Sequence, residues 1–250
     1  MRFRDLVLTA FLLVPASHAF AVDAMKVVNP LTEAEEKSAY RVAKLFFAAR
    51  AAVGEKASFT DDPTNPKNDK SSLLEAVKLS YDRIAGEPLK ASSDPAVAQM
   101  WQAIETVVDR AMRGEYKGRW TDHLNFPGKL IPARFGYEVT QEFNSKFKAG
   151  SVRWTTAEEY LVNPQAKADE WEQQIIRSKF QSANWKQGQP YAEKIVDTQG
   201  KTTIRYALPE YFKTNCMNCH GGEMGKQIHK GKAAAGTGTF GGILSVQYRK

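Results

Sequence analysis

Residues 191–208, YAEKIVDTQGKTTIRYAL, carry β-branched and aromatic side chains on both sides of the polar run Asp197-Thr198-Gln199-Gly200. That pattern predicts a β-hairpin, two strands folded back around a turn. Upstream, Ser151–Thr156 reads as a further strand, and Asp169-Glu170-Trp171-Glu172 opens a short helix through Ile175, Ile176 and Phe180. Downstream, residues 242–248 (GILSVQY) close the chain as a final strand. The second half of the chain therefore predicts an antiparallel sheet.

The first half has a helical period instead. Thr32-Glu33-Ala34-Glu35 is a capping box just after Pro30, and the helix it opens runs through Leu45, Phe46 and Phe47 to Gly54. Residues 55–70, polar and holding Pro63 and Pro66, read as a loop. Leu74, Val77, Tyr81 and Ile84 recur at helical spacing behind the caps Ser71 and Ser72 and stop at Gly86. Asp94-Pro95 caps a third helix, with Val97, Trp101, Ile104, Val108 and Ala111 on one face before Gly114. A fourth starts near Pro132 and carries Phe135, Val139, Phe143 and Phe147. Three or four strands alone make a thin core, so the helical front is expected to pack on the sheet in one α+β fold. No repeat of solenoid length is present.

Composition narrows the class. With 250 residues, 42% apolar, and five Trp, nine Tyr and thirteen Phe, the chain has ample core material and is not disordered. Its net charge of +7 is spread along the chain without a Lys/Arg block, which argues against nucleic acid and leaves an acidic partner as the expectation. Residues 1–21 have the three parts of a secretory signal: Arg2 and Arg4, the apolar run LVLTAFLLV at residues 6–14, and Ala19-Phe20-Ala21. That run is too short to span a bilayer, which takes about 20 apolar residues. Cleavage there would remove Arg2, Arg4, Asp5 and His18, leaving His123, His220 and His229 in an exported chain without a membrane span. The expected compartment is the periplasm.

The only two cysteines fall in Cys216-Met217-Asn218-Cys219-His220, the C-x-x-C-H pattern of c-type haem attachment. Thiols three positions apart can each add to a different vinyl group on one porphyrin edge, and the next residue, histidine, binds iron from below. A thioredoxin-like reading lacks the βαβ unit that should surround the pair. A zinc reading lacks a second pair of ligands, and a disulfide across so short a span is strained. One covalent haem c, on Cys216 and Cys219 with His220 as proximal ligand, is the expectation. Gly221 and Gly222, and the glycines between 225 and 242, suit close passage beside a flat cofactor. Trp185, Tyr206, Tyr211 and Phe212 are candidate pocket walls, and Lys226, Lys230 and Lys232 candidate propionate partners. For the second axial position the candidates are His123, His229 and the nearby Met217 and Met224, with a vacant site as a further alternative. His123, in a segment between helices, approaches the far face directly. His229, nine residues after His220, would have to pass around the ring edge.

Several runs resemble a bacterial family of exported c-haem domains with a PAS-like fold. They are residues 129–136 (KLIPARFG), Asn163-Pro164, residues 168–172 (ADEWE), Ala207-Leu208-Pro209 ahead of the cysteine motif, and residues 240–246 (FGGILSV). The resemblance covers residues 115–250 well and the helical front more weakly. It implies an α+β domain over residues 22–250, with a helical part at 30–114 and a PAS-like, haem-binding part at 115–250. It also implies one haem c held by Cys216, Cys219 and His220. Some members use a cysteine as distal ligand, and this chain has none to spare. Members occur as free periplasmic cytochromes and as sensor regions. The leading expectation is accordingly a mono-haem electron carrier with a redox partner protein, not an enzyme. The alternative is a haem-based redox or gas sensor acting through a separate protein.

Overall fold

The computed structural model describes residues 26–28, 31–89, 94–116, 129–196 and 199–249. The signal-like segment, His123 and the hairpin residues Asp197 and Thr198 lie outside these. In chain order the elements are β1 (Lys26–Val28), α1 (Glu33–Glu55), α2 (Ala57–Asp61), α3 (Lys70–Ala85), α4 (Pro95–Met112), α5 (Pro132–Lys146), β2 (Gly150–Thr156), α6 (Glu170–Ile175), β3 (Tyr191–Val196), β4 (Thr202–Tyr211), α7 (Met217–His220), α8 (Gly222–Ile228) and β5 (Phe240–Arg249).

Local chemistry sets most of these boundaries. Thr32 and Glu35 satisfy each other's backbone amides at the start of α1, the reciprocal box expected there. The cap of α3 differs from the expectation: Asp69, not Ser71 or Ser72, accepts the first free amides, and those amides belong to the two serines. Gly86, at φ 73°, ends α3 in the left-handed conformation that a β-carbon disfavours. Asp94 caps α4 with Pro95 at its first position. The expected loop at 55–70 contains the short helix α2, whose Phe59 is buried.

The sheet is antiparallel throughout, in the order β1-β3-β4-β5-β2. The long central strands β4 and β5 pair Ile204 with Tyr248, Tyr206 with Val246 and Leu208 with Leu244. Strand alternation then divides their side chains between two faces. Tyr206, Leu208, Leu244 and Val246, with Val152, pack under the helical front against the apolar faces of α1, α3, α4 and α5. Ala207 and Ile243 face the other way, into a smaller core with Ala157, Tyr160, Ile175, Ile176, Phe180 and Phe240. The result is an α+β fold with helices against one face of an antiparallel sheet. Among the described residues, no helix is long and apolar enough to cross a membrane.

Candidate functional site

The cysteine motif lies in residues 212–239, the connection between the neighbouring strands β4 and β5. Backbone bonds close its base: the Phe212 amide donates to the Thr239 carbonyl at 2.9 Å, and the Gly238 amide to the Phe212 carbonyl at 2.7 Å. Inside the excursion the chain makes a tight turn at Thr214–Cys216, then α7, then α8. Cys216 and Cys219, three positions apart on this turn and helix, fall on one side of it. Both are half-buried thiols outside any disulfide. The Lys213 amide lies 3.3 Å from the Cys216 Sγ. Burial pushes the Cys219 thiol up from its ordinary pKa, the neighbouring Cys216 adds to the rise, and Lys129 opposes it.

The His220 ring is held from two sides, with the Phe212 ring centroid at 4.9 Å and the His229 centroid at 5.0 Å. Its Nδ1 lies 2.8 Å from Nε2 of His229, and the Nδ1 of His229 lies 2.5 Å from the Ala233 carbonyl oxygen. A carbonyl only accepts, so the His229 Nδ1 carries a proton. In the neutral form of that ring Nε2 is an acceptor, and His220 then donates from Nδ1. The His220 Nε2 is left with its lone pair, the state a metal requires. Burial pushes the His220 pKa down to about 4; the nearby His229 and Arg50 add to the fall, and Glu210 opposes it. The imidazole is thus neutral at physiological pH.

A polar cluster stands at the end of β4, two residues before Phe212. Arg50 of α1 pairs with Glu210 (Nη1 to Oε1, 2.6 Å), and the Trp154 Nε1 donates to the other oxygen of Glu210 at 2.8 Å. The Arg50 guanidinium lies 3.7 Å from the Trp154 ring centroid, a cation–π contact. Sequence reading missed these three residues, because they meet only when α1, β2 and β4 are assembled. No local pattern announces them.

The other candidates disperse. Of the four proposed aromatic walls, Phe212 packs on His220, whereas Tyr206 is buried in the core under the helices. Trp185 contacts Phe180 and Tyr191, and Tyr211 contacts Phe240, both in or beside the smaller core. Lys226 pairs with Glu223 in an exposed contact. Lys232 donates to the carbonyls of Glu158 and Leu161, tying the excursion to the segment after β2. Met224 is exposed, and Met217 packs beside the smaller core. His229, weighed as a distal ligand, is only 1% exposed and has both ring nitrogens engaged, which leaves it no lone pair for iron.

The donor set suits a covalently attached haem: two thiols on one side of a helical turn, a neutral imidazole with one nitrogen free, and an aromatic ring beside it. No curated protein and no solved structure matches the chain. A model of the Tll0287-like family does match, over residues 85–248. That span takes in strands β2 to β5 and the whole excursion that carries Cys216, Cys219 and His220, well over half of the 250 residues. By this match the chain belongs to the Tll0287-like family.

Proposed function

We propose that this protein is a periplasmic mono-haem c-type cytochrome that passes single electrons to a partner protein. The observation that carries the reading is His220: it ends a C-x-x-C-H motif, its Nδ1 is occupied by His229, and among the described residues its Nε2 has no hydrogen-bond partner. Membership of a family known as a c-type haem-binding domain supports it. Cys216 and Cys219 would hold the haem through thioethers and His220 would be its proximal ligand. When bound, the group supplies one-electron exchange between ferrous and ferric iron.

The protein's part is to ligate, orient and set polarity. Phe212 and His229 fix the imidazole, and the Arg50–Glu210 pair sets a local field close to it. The net positive charge favours an acidic partner. The signal-like N-terminus supports export, and the family resemblance supports a PAS-like reading of the sheet. His123 is the proposed second axial ligand on chemical grounds, as the one remaining histidine of the mature chain.

Expression in a host that matures c-type cytochromes tests this reading. Protein heavier by one haem, retaining its colour after acid–acetone extraction, is the expected result. A colourless product with the mass of the bare polypeptide overturns it. A low-spin spectrum insensitive to carbon monoxide in the reduced state is expected of an electron carrier with both axial positions filled. Ready binding of carbon monoxide would move the assignment to a gas sensor. Replacing His123 with Ala is expected to convert the low-spin spectrum to high spin; an unaltered low-spin spectrum would remove His123 from the iron.

A further inference from the structure

The contacts around His220 form a closed chain. The Ala233 carbonyl fixes the proton on His229 Nδ1, and His229 Nε2 faces His220 Nδ1. The Ala235 amide also donates to the His220 backbone carbonyl at 2.7 Å, so residues 220–235 grip that histidine by both main chain and side chain. His229 is set rigidly enough to perform this role. It is fully buried, the Tyr160 ring centroid is 5.0 Å from its own, and Tyr160 is itself packed edge-on against Phe212. Burying a second histidine beside the first has a desolvation cost unless every polar nitrogen finds a partner, and here each nitrogen of His229 does.

We propose that His229 is the positioning residue of the proximal histidine, selecting the His220 tautomer, fixing its ring rotation and drawing on its Nδ1 proton. The inference rests on the haem reading above. An imidazole that donates Nδ1–H to a good acceptor becomes a stronger donor through Nε2, and such outer partners tune a metal site by 10–100-fold when lost. Greater donation favours the more highly charged ferric iron. His229 therefore lowers the reduction potential relative to a site with no acceptor at this position.

Two variants of the matured full-length protein test the role. His229→Leu removes the acceptor with little change of volume. His229→Gln keeps an oxygen in reach of His220 Nδ1. In His229→Leu the ferric/ferrous equilibrium is expected to shift at least tenfold toward ferrous, a potential rise of about 59 mV for one electron. His229→Gln is expected to stay within about threefold of the unaltered protein. Equal potentials in His229→Leu and the unaltered protein would overturn the proposal. If the leucine variant fails to fold or to load, nitrogen-15 NMR of the unaltered full-length apoprotein decides. His220 protonated at Nδ1 and bare at Nε2 upholds the proposal, and the opposite tautomer defeats it. The NMR arm reads out with no haem present, so failure of the haem reading and failure of the His229 role give different results.

Discussion

A β-carbon at position 225 would lie 2.0 Å from the carbonyl oxygen of His220, closer than any real contact. The atom it would strike is backbone, so no side chain can swing aside to make room. Gly225 is what lets α8 start against the end of α7, and it thereby sets where His229 stands relative to His220. Gly225→Ala is expected to cost roughly 1–3 kcal/mol, the range of an overpacked site, and to lower haem incorporation as well. Urea midpoints and the ratio of haem to protein absorbance measure the two effects; an unchanged midpoint would show that the excursion can shift freely. At this scale the sequence was informative where the chemistry is contiguous. Cys216, Cys219 and His220 are contiguous in the motif, so a local turn and helix are enough to bring them together. The Arg50–Glu210 pair joins residues 160 positions apart, and the Tyr160–His229 contact needs β2 and α8 folded first. His229 itself stood out in the sequence, but which side of His220 it would take depends on the turn at residues 230–233.

Helix and strand limits show a similar division. The Asp-Lys-Ser-Ser run at 69–72 offers three capping side chains, and the helical period alone does not choose among them. The structure chooses Asp69 because its carboxylate reaches the amides two and three residues on, the geometry of an N-cap. Asp69→Ala is expected to destabilise the protein by about 1 kcal/mol. Ser71→Ala and Ser72→Ala are expected to be near neutral, since their side chains carry no cap. Thermal or chemical denaturation of the three variants separates the assignments, and an equal loss in all three would refute it. The second strand of the hairpin, expected to end at Leu208, continues as β4 through Pro209 to Tyr211. Pairing with β3 ends at Ala207, so at Pro209 the strand is flanked by β5 alone and has an open edge, the setting in which a sheet accommodates proline. The hairpin was legible from β-branched and aromatic residues on both sides of a polar run; how far β4 extends beyond Leu208 depends on the strand it pairs with.

The whole molecule is organised around a sheet covered on one face by helices and on the other by a smaller aromatic core. This places several tyrosines deep inside. Burial, followed by the charge of Glu87, pushes the Tyr81 hydroxyl up to about 12. Burial, followed by the charge of Glu138, does the same for Tyr116, and burial raises Tyr206 further still. The folded state therefore holds these protons more tightly than the unfolded chain, whose tyrosines titrate near 10. Stability from this source is full below pH 10 and is lost as pH rises toward 12 and beyond. Tyrosinate absorbance is expected to lag at pH 10 and then to rise together with loss of tertiary circular dichroism. A normal midpoint near 10 with the fold intact would contradict it.

The neck formed by Phe212 and Thr239 has a consequence for how such a protein can change. Both ends of the insert meet at one point on adjacent strands, so the pairing of β4 with β5 does not depend on the path the chain takes between them. Replacing residues 213–238 with a tight turn is expected to leave β4 paired with β5 but to loosen the smaller core, which loses Ala235 and the packing of Met217 and Ala233; a urea midpoint equal to that of the unaltered protein would contradict this.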